Sequence, residues 1–185
     1  MSTDGNPSIL KLARGAMPEP EIYDGLSLGR RRLVEARREI SMRGAQNFHF
    51  TVLISGIACR YQIFGDGGRA IIGFILPGDF TAPFVTEPMK ADFGVMSLTP
   101  SEIVEIPNVE LWARAQSNLG LSRALARSAM VDGAIARAWM ANINYQPADK
   151  RLANLFCELR HRLARVGLAN QYSFPLPLVQ YSQHH

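Results

Sequence analysis

The sequence predicts an α+β fold in which antiparallel β-strands come first and helices follow. Between residues 48 and 106, short apolar segments are separated by Gly- and Pro-containing turns, a pattern typical of a β-sandwich or barrel. After Pro107 the apolar residues recur with the helical period. The charge changes near the same point, because residues 1–110 carry 11 Lys and Arg against 13 Asp and Glu, whereas residues 111–185 carry 9 against 3.

The overall composition is that of a folded chain. The 185 residues are 47% apolar and 19% charged, with a net charge of +4, which excludes a disordered chain. The basic last part could meet nucleic acid or an acidic membrane surface, but composition alone favours a solvated helix face. No apolar run reaches the length of a membrane span, and the first residues lack the features of a signal peptide. Because Cys59 and Cys157 are far apart, the sequence predicts a reducing cytoplasmic location without a disulfide framework.

Turn signals place the elements of the β part in order. Residues 1–8 are polar, and a short helix is predicted over residues 9–16. The sequence Gly-Asp-Gly-Gly at 65–68 predicts a hairpin, because Gly adopts positive φ without steric cost, and Pro-Gly-Asp at 77–79 predicts a second tight turn. Strands are predicted around these turns at residues 48–54, 57–64, 70–76, 93–98 and 102–106.

Three helices are predicted after Pro107. Asn108 is suited to cap a short helix through residue 116, and a longer helix is predicted over residues 119–144. A third helix begins after the break at 146–149 and carries one apolar stripe. The long helix has a narrow seam of residues at alternating spacings of three and four, interrupted at Asp132-Gly133, which is typical of two helices packed side by side. The seam consists of Leu121, Ala124, Ser128, Val131, Ile135, Ala138 and Asn142.

The order of these parts resembles the Crp/Fnr family of bacterial transcription regulators. The segments GIACRY at 56–61, DGGR at 66–69 and FILPGDF at 74–80 resemble the hairpin and turn of the family's cyclic-nucleotide-binding-like jelly roll. The segments RLANLFCEL at 151–159 and FPLPL at 174–178 resemble the helix and first strand of its winged-helix DNA-binding domain.

The resemblance implies a division of the chain into parts. It implies an antiparallel jelly-roll sensor followed by a long dimerisation helix and a C-terminal stub of a winged-helix domain. A first segment, which is disordered or forms a short helix, precedes the sensor. The corresponding boundaries are 1–20 for the first segment, 21–110 for the jelly roll, 111–146 for the dimerisation helix region and 147–185 for the truncated winged-helix domain.

The residues at the family's ligand positions differ from those of its members that bind cyclic AMP. Those members have a Gly-Glu pair after the Pro-Gly-Asp turn and a later Arg-Ser/Thr-Ala element, which hold the ribose and the phosphate. The corresponding residues here are Ala82-Pro83 and, without any Arg, the neighbourhood of Asp92. Since a buried phosphate needs a cation or N–H donors, the sequence predicts a sensor that does not bind cyclic AMP and leaves its effector unidentified. The candidate pocket residues are Phe80, Ala82, Pro83, Asp92 and Phe93.

The DNA-binding domain is expected to be incomplete. In the family the winged helix-turn-helix continues well past the stretch at 174–178, but only eight residues follow Pro177 here. The recognition helix, which reads base edges in the major groove, is therefore expected to be missing. The alternative to DNA contact for the last helix is an ordinary solvated face. Its candidate contacts to DNA phosphates are Arg151, Arg160, Arg162 and Arg165.

Enzymatic and metal-binding functions find no support in the sequence. His49 could be a ligand in a cupin-type enzyme, but such enzymes use a His-x-His pair with further ligands. No nucleophile motif or phosphate loop occurs, so no catalytic residue, metal or cofactor is predicted. The predicted function is a Crp/Fnr-like regulator that forms a homodimer through the long helix, with DNA as a candidate partner and no membrane partner. The alternative is a sensor that does not bind DNA and forms mixed dimers with a full-length relative.

Overall fold

The computed structural model describes residues 22–82 and 89–169. The predicted helix at 9–16 and the stretch at 174–178 lie outside the described residues. Within these two ranges, two antiparallel sheets form the β part, and four helices pack around them. The helices are α1 (Ile22–Leu26), α2 (Asn108–Ser117), α3 (Leu119–Tyr145) and α4 (Ala148–Arg165). The strands are β1 (Arg30–Val34), β2 (Glu39–Ser41), β3 (His49–Ser55), β4 (Ala58–Ile63), β5 (Arg69–Ile75), β6 (Gly94–Ser97) and β7 (Ser101–Pro107).

The predicted fold class is confirmed. Each of the five predicted strands occurs with ends that differ by one residue from the prediction, and the three helices after Pro107 follow in the predicted order. The three-stranded sheet has the order β1-β7-β3, and the four-stranded sheet has the order β2-β6-β4-β5. All strand pairs in both sheets are antiparallel, as in a sandwich.

Strand β1 was not predicted, because its three arginines hide the β pattern. The strand pairs with β7, which supplies carboxylates at the positions that the arginines need. Arg31 Nη1 lies 3.1 Å from Glu102 Oε1, and Arg32 Nη2 lies 2.8 Å from Glu105 Oε1. An Arg-rich strand at a sheet edge is stable here because the neighbouring strand neutralises it.

Alternating side chains divide the core into layers. On β3, Leu53 faces the four-stranded sheet, whereas Val52 and Ile54 face α1, α2 and the start of α3. The outer face of the four-stranded sheet is covered by α4, whose Leu159 and Leu163 are completely buried against it. Because a strand exposes successive side chains on opposite faces, strands β3 and β7 bury apolar side chains on both faces, whereas β1, β2 and the first half of β5 remain mostly exposed or partly buried.

The turn between β3 and β4 requires glycine. Gly56 has a φ of +89°. A Cβ at this position would lie 2.3 Å from Ser101 Oγ and 2.6 Å from the carbonyl oxygen of Pro100. Both the backbone conformation and the close approach of the neighbouring strand therefore exclude a side chain.

The N-terminal cap of α2 differs from the sequence prediction. The side chain of Asn108 does not cap α2, because its Nδ2 donates to the carbonyl oxygen of Asn47 at 3.0 Å instead. Asn118 provides the cap that α3 needs, with Oδ1 accepting from the N–H of Leu121 at 3.1 Å. Asp132-Gly133, which interrupts the seam in the sequence, does not break the helix, because α3 is continuous through both residues as the predicted helix over 119–144 requires.

Candidate functional site

The Arg60 side chain links the four-stranded sheet to α3. Strand β4 places this side chain on the partly buried side that faces the helix. Its Nη1 donates to Asp132 Oδ1 on α3 at 2.6 Å. Its Nε donates to the carbonyl oxygen of Thr81 at 2.9 Å, and its Nη2 donates to that of Phe80 at 2.8 Å. The guanidinium also lies 5.5 Å from the centroid of the Phe93 ring, so one cation is satisfied by an anion, two carbonyl groups and an aromatic face.

Arg60 closes the space between the sheets and α3. The cavity there, which we call the roll pocket, has a volume of about 10 Å³, which is room for about one water molecule. The rings of Phe50 and Phe80 are 4.4 Å apart at its wall and occupy the space beside the guanidinium. The roll pocket is lined by Phe50, Arg60, Phe80, Ala82, Leu125, Ser128, Ala129 and Asp132.

The structure brings together three of the five candidate pocket residues. Phe80 and Ala82 line the roll pocket, and Phe93 contacts the Arg60 guanidinium. The Asp92 side chain has no part in the pocket; the residue's carbonyl oxygen accepts from Gln62 Nε2 at 2.8 Å on the rim of the sheet. Pro83 lies outside the described residues.

Arg60 is a site residue that the sequence patterns did not predict. Its signal is a charged residue within the predicted strand at 57–64, which is otherwise apolar except for Gln62. A buried charge needs a partner, but nothing in the sequence identifies that partner as Asp132, which is 72 residues further along the chain.

A second polar network fastens α4 to the β part. The Nη2 of Arg162 donates to Asp79 Oδ2 in the Pro-Gly-Asp turn and to the carbonyl oxygen of Phe74, the latter at 3.0 Å. Its Nη1 donates to Glu158 Oε1 at 2.9 Å, and Glu158 Oε2 accepts from Trp139 Nε1 on α3 at 2.6 Å. Burial acts to lower the pKa of Arg162, but the Asp79 and Glu158 carboxylates outweigh it and raise that pKa. The network therefore joins the turn, α3 and α4 through one charged side chain.

The prediction that Arg162 contacts DNA phosphates is contradicted by this network. The Arg162 side chain is only 15% exposed and is paired with two carboxylates, so it does not face solvent as the prediction required. The reason is that Arg162 lies beside Leu159 and Leu163 on the face of α4 that packs against the sheet. Arg151, Arg160 and Arg165 are exposed in the structure.

The seam predicted on α3 has a first part that is buried in the chain's own core and a later part that is open. Leu121 and Ala124 are buried in the chain's own core with Phe50 and Val52, so the expectation that these two residues face a partner is wrong. Further along the helix the seam is open, since Val131 is 52% exposed and Ala138 is exposed. The remaining seam residues are Ser128, Ile135 and Asn142, which are partly buried.

Two groups on β4 hold their protons unusually tightly. The Tyr61 hydroxyl lies 2.8 Å from both carboxylate oxygens of Glu39. Burial, together with Glu39, raises the pKa of Tyr61 to about 12. Burial and then Glu39 likewise raise the pKa of the Cys59 thiol to about 11. Cys59 is a buried packing residue, whereas Cys157 is exposed because it lies off the face of α4 that contacts the sheet.

The described part of the chain contains no group of three or more His, Cys, Asp or Glu residues that could hold a metal ion. None of the helices described is long and apolar enough to cross a membrane. His49 is exposed at the start of β3 and does not line the roll pocket.

Comparison with known proteins identifies relatives among transcriptional activators. No family model matches the chain. A probable transcriptional activator from Rhizobium leguminosarum is 27% identical over 165 residues, which cover 89% of this chain and 67% of the relative. The transcriptional activatory protein AadR from Rhodopseudomonas palustris is 31% identical over 128 residues, which cover 67% of this chain and 52% of the relative. The chain thus spans between half and two thirds of the length of these curated relatives.

Solved structures share the fold at low sequence identity. FixK2 from Bradyrhizobium japonicum matches with a TM-score of 0.72 at 19% identity, covering 82% of this chain and 73% of that one. The catabolite activator protein of Thermus thermophilus matches with a TM-score of 0.58 at 16% identity, covering 85% and 80%. A CRP-family transcriptional regulator from the same organism matches with a TM-score of 0.56 at 18% identity, covering 66% and 60%. The predicted resemblance to the Crp/Fnr family is thus confirmed: the chain has the fold of these regulators, and the curated proteins that its sequence resembles are transcriptional activators rather than enzymes.

Proposed function

We propose that this chain is a Crp/Fnr-type transcription regulator whose sensor domain does not bind cyclic AMP. The support for regulation is the similarity to transcriptional activators over most of the chain. The parts proposed from the sequence are a sensor over residues 21–110, a dimerisation region over 111–146 and a DNA-binding part over 147–185. A regulator of chromosomal genes acts in the cytoplasm, and that location is part of the proposal.

The closed roll pocket is the observation that carries the proposal about cyclic AMP. A nucleotide in this pocket would have to break three hydrogen bonds of the Arg60 guanidinium, which are those to Asp132, Phe80 and Thr81. Breaking them would leave the Asp132 carboxylate without its cation and facing the phosphate of the nucleotide. Since groups buried without partners cost free energy, the pocket favours its own arginine over an added anion.

Equilibrium dialysis with cyclic AMP tests this part of the proposal. We expect no saturable binding up to millimolar nucleotide, because about 10 Å³ cannot hold a nucleotide and the Arg60 guanidinium is already committed to its own partners. Saturable binding of one cyclic AMP per chain would overturn it.

The open half of the seam is the proposed dimer interface. Val131 and Ala138 lie on one stripe of α3 with Ser128, Ile135 and Asn142, and small or apolar side chains at this spacing suit a helix packed alongside. Two exposed alanines on this helix provide a matched pair of variants. Ala138 lies on the seam, whereas Ala136 lies off it.

Sedimentation equilibrium tests the interface. We expect the unmodified chain to be a dimer, Ala138→Asp to shift it to monomer, and Ala136→Asp to leave it dimeric, because only the first places a carboxylate between the two helices. A monomeric unmodified chain, or equal effects of the two substitutions, would contradict the interface.

The exposed arginines of α4 are the proposed contacts to DNA phosphates. Arg151 and Arg160 lie on the exposed part of the helix, away from the face that packs on the sheet. In a gel-shift assay with operator-length DNA, we expect binding at low salt that weakens as salt is raised, and weaker binding for the Arg151→Gln, Arg160→Gln double variant. If the unmodified dimer binds no DNA at low salt, the alternative becomes the better proposal, namely a sensor that dimerises with a full-length relative.

A further inference from the structure

Three consecutive residues connect two separate arginine networks. We call them the junction segment, and they are Asp79, Phe80 and Thr81, at the end of the Pro-Gly-Asp turn and directly after it. The Asp79 carboxylate accepts a hydrogen bond from Arg162 of α4. The carbonyl oxygens of Phe80 and Thr81 accept from Arg60 of β4, at 2.8 and 2.9 Å. The residue that fastens α4 and the acceptors of Arg60 are therefore neighbours in the chain.

The backbone of the junction segment is held partly by β3 and partly by Arg60. The N–H of Leu53 on β3 donates to the carbonyl oxygen of Asp79 at 3.0 Å. The N–H of Thr81 donates to the carbonyl oxygen of Thr51, also on β3, at 2.9 Å. The other two carbonyl groups of the segment have Arg60 as their donor. Without Arg60 these two groups lose that support, and because peptide units are planar, a shift in their position changes that of Asp79 as well.

Both arginines also act on the same carboxylate through their charge. Burial raises the pKa of Asp79, and the Arg162 and Arg60 guanidinium groups act in the opposite direction. The positive charge of Arg60 therefore helps to keep Asp79 ionised, which is the form that binds Arg162 most strongly.

Helix α3 offers a second route between Arg60 and α4. Arg60 Nη1 binds Asp132 of α3 at 2.6 Å, and Trp139 of α3 donates to Glu158 of α4 at 2.6 Å. Asp132 and Trp139 are about two helical turns apart on one continuous helix. A test of the junction segment therefore has to separate this route from the one through Asp79.

We infer that Arg60 controls how firmly α4 is held on the four-stranded sheet, and that it does so through the junction segment. While Arg60 binds the carbonyl groups of Phe80 and Thr81, the Asp79 carboxylate stays in place for Arg162. When Arg60 is drawn away, the bond between Asp79 and Arg162 weakens and α4 opens more often. Under the proposed function, on which only this last step rests, a change at the roll pocket thereby reaches the helix that carries the exposed arginines.

Hydrogen–deuterium exchange of the α4 backbone amides, measured by mass spectrometry, tests the coupling. Exchange rates report how often a segment opens, so weaker attachment appears as faster exchange. Asp79→Asn removes the carboxylate that binds Arg162 and is expected to speed the exchange of α4 about tenfold. Arg60→Met is expected to speed it about fivefold, although the hydrogen bonds of Arg60 all go to other elements.

The double variant distinguishes coupling from two independent losses of stability. If Arg60 acts on α4 through Asp79, Arg60→Met adds less than about a factor of two once Asp79→Asn is present. Independent effects would instead multiply to about fiftyfold. Circular dichroism confirms that each variant is folded, and Arg60→Lys takes the place of Arg60→Met if the double variant is not.

Two further variants control for the route and for the loss of an arginine as such. Asp132→Asn breaks the contact of Arg60 with α3 but leaves its two carbonyl acceptors, so the exchange of α4 is expected to rise by less than about twofold. Arg32→Met removes a partly buried arginine that binds Glu105 and the carbonyl oxygen of Ile40 instead of the junction segment. It is expected to leave the exchange of α4 within about twofold of the unmodified chain.

Three results would overturn the proposal. They are an unchanged exchange of α4 in Arg60→Met, an effect of Arg60→Met that multiplies with that of Asp79→Asn, and an effect of Asp132→Asn as large as that of Arg60→Met. None of the substituted residues belongs to the seam, and the exchange is measured without DNA. The outcome is therefore independent of dimerisation and of DNA binding, which the proposed function requires.

Discussion

At the scale of single residues, charge placement determines how the sheets and helices are joined. Arg60 satisfies two backbone carbonyl groups and one carboxylate from separate segments of the chain. Arg38, in contrast, has a side chain that is 72% exposed and forms its ion pair with Glu35, three residues before it in the chain. Buried and exposed ion pairs differ in their effect on stability, because an exposed pair gains little over solvation by water.

Arg60→Met is expected to lower the free energy of unfolding by about 2 kcal/mol, because Phe80, Thr81 and Asp132 lose their donor in a partly buried setting. Arg60→Lys, which keeps the charge but offers a single ammonium group, is expected to fall between Arg60→Met and the unmodified chain. Urea unfolding followed by circular dichroism measures all three. Arg38→Met is the control and is expected to change the midpoint little. Equal effects at positions 38 and 60 would show that the network around Arg60 contributes nothing.

Stability is expected to fall in alkaline solution. The ordinary pKa values are 9.0 for Cys59 and 10.0 for Tyr61, and the fold raises them to about 11 and about 12. Between pH 9 and pH 12 the native state therefore binds more protons than the unfolded state, so the free energy of unfolding decreases as pH rises. The stabilising contribution is complete below the unfolded values and is lost as pH passes the folded ones.

The tyrosine part of this pH dependence can be isolated by substitution. Tyr61→Phe is expected to make the loss of stability between pH 10 and pH 12 shallower, because the proton held by the hydroxyl is removed from the balance. Tyr145→Phe is the matched control, since Tyr145 is 85% exposed at the end of α3. Urea midpoints at about pH 8, 10 and 11 in the presence of a reductant compare the three chains. A Tyr61→Phe curve parallel to that of the unmodified chain would contradict the assignment.

At the scale of elements, the periodicity of apolar residues predicts where a helix or strand forms, but not which other element packs against it. The apolar stripe of α4 could be predicted, because Leu155, Leu159 and Leu163 recur at helical spacing. The surface on which this stripe packs, the outer face of the four-stranded sheet, could not be predicted. The contacting residues of the sheet, Cys59 and Phe74, lie far earlier in the chain and show only the pattern of a strand. The short strands β1 and β2 were missed for a related reason, because they depend on pairing with β7 and β6 rather than on their own composition.

Two turns that contain glycine at positive φ allow the cost of backbone strain to be separated from the cost of steric collision. Gly56 and Gly67 have similar positive φ values, +89° and +82°. A Cβ at Gly67 would have no heavy atom within 4 Å, so Gly67→Ala is expected to cost about 1 kcal/mol from backbone strain alone. Gly56→Ala adds a collision with Ser101 and Pro100 and is expected to cost about 2 kcal/mol more. Thermal unfolding of both variants measures the difference, and equal losses would show that the β3–β4 turn and β7 can separate without cost.

The packing of α4 on the sheet can be tested by truncating one of its buried leucines. Leu163→Ala removes a completely buried side chain and is expected to destabilise the fold by about 2–5 kcal/mol. Leu152→Ala on the same helix is the control, because Leu152 is 50% exposed and its loss leaves no cavity. Urea unfolding gives the stability, and amide hydrogen exchange shows whether α4 opens first. If both leucines have small effects, α4 is not held on the sheet in solution.

At the scale of the whole molecule, the fold was predictable and the location of the site was not. Turn chemistry and strand alternation placed five strands, and the change of period placed three helices, because each signal is local. The roll pocket depends on contacts among β3, β4, the residues that follow the Pro-Gly-Asp turn and α3, which are far apart in the chain. Three candidate residues taken from the family's ligand positions do lie around Arg60, namely Phe80, Ala82 and Phe93. Arg60 itself fills the pocket, and none of those ligand positions corresponds to it.

The hydrogen bond between Trp139 and Glu158 equips the molecule with an internal optical reporter. The indole lies 5.9 Å from the Phe74 ring and donates to the same carboxylate that holds Arg162, so its surroundings become more aqueous when α4 leaves the sheet. The other tryptophan, Trp112, is on α2, at the opposite side of the three-stranded sheet from α4. In a Trp112→Phe chain, a red shift of the fluorescence emission therefore records the loss of the contact between α3 and α4, in real time and without an added dye.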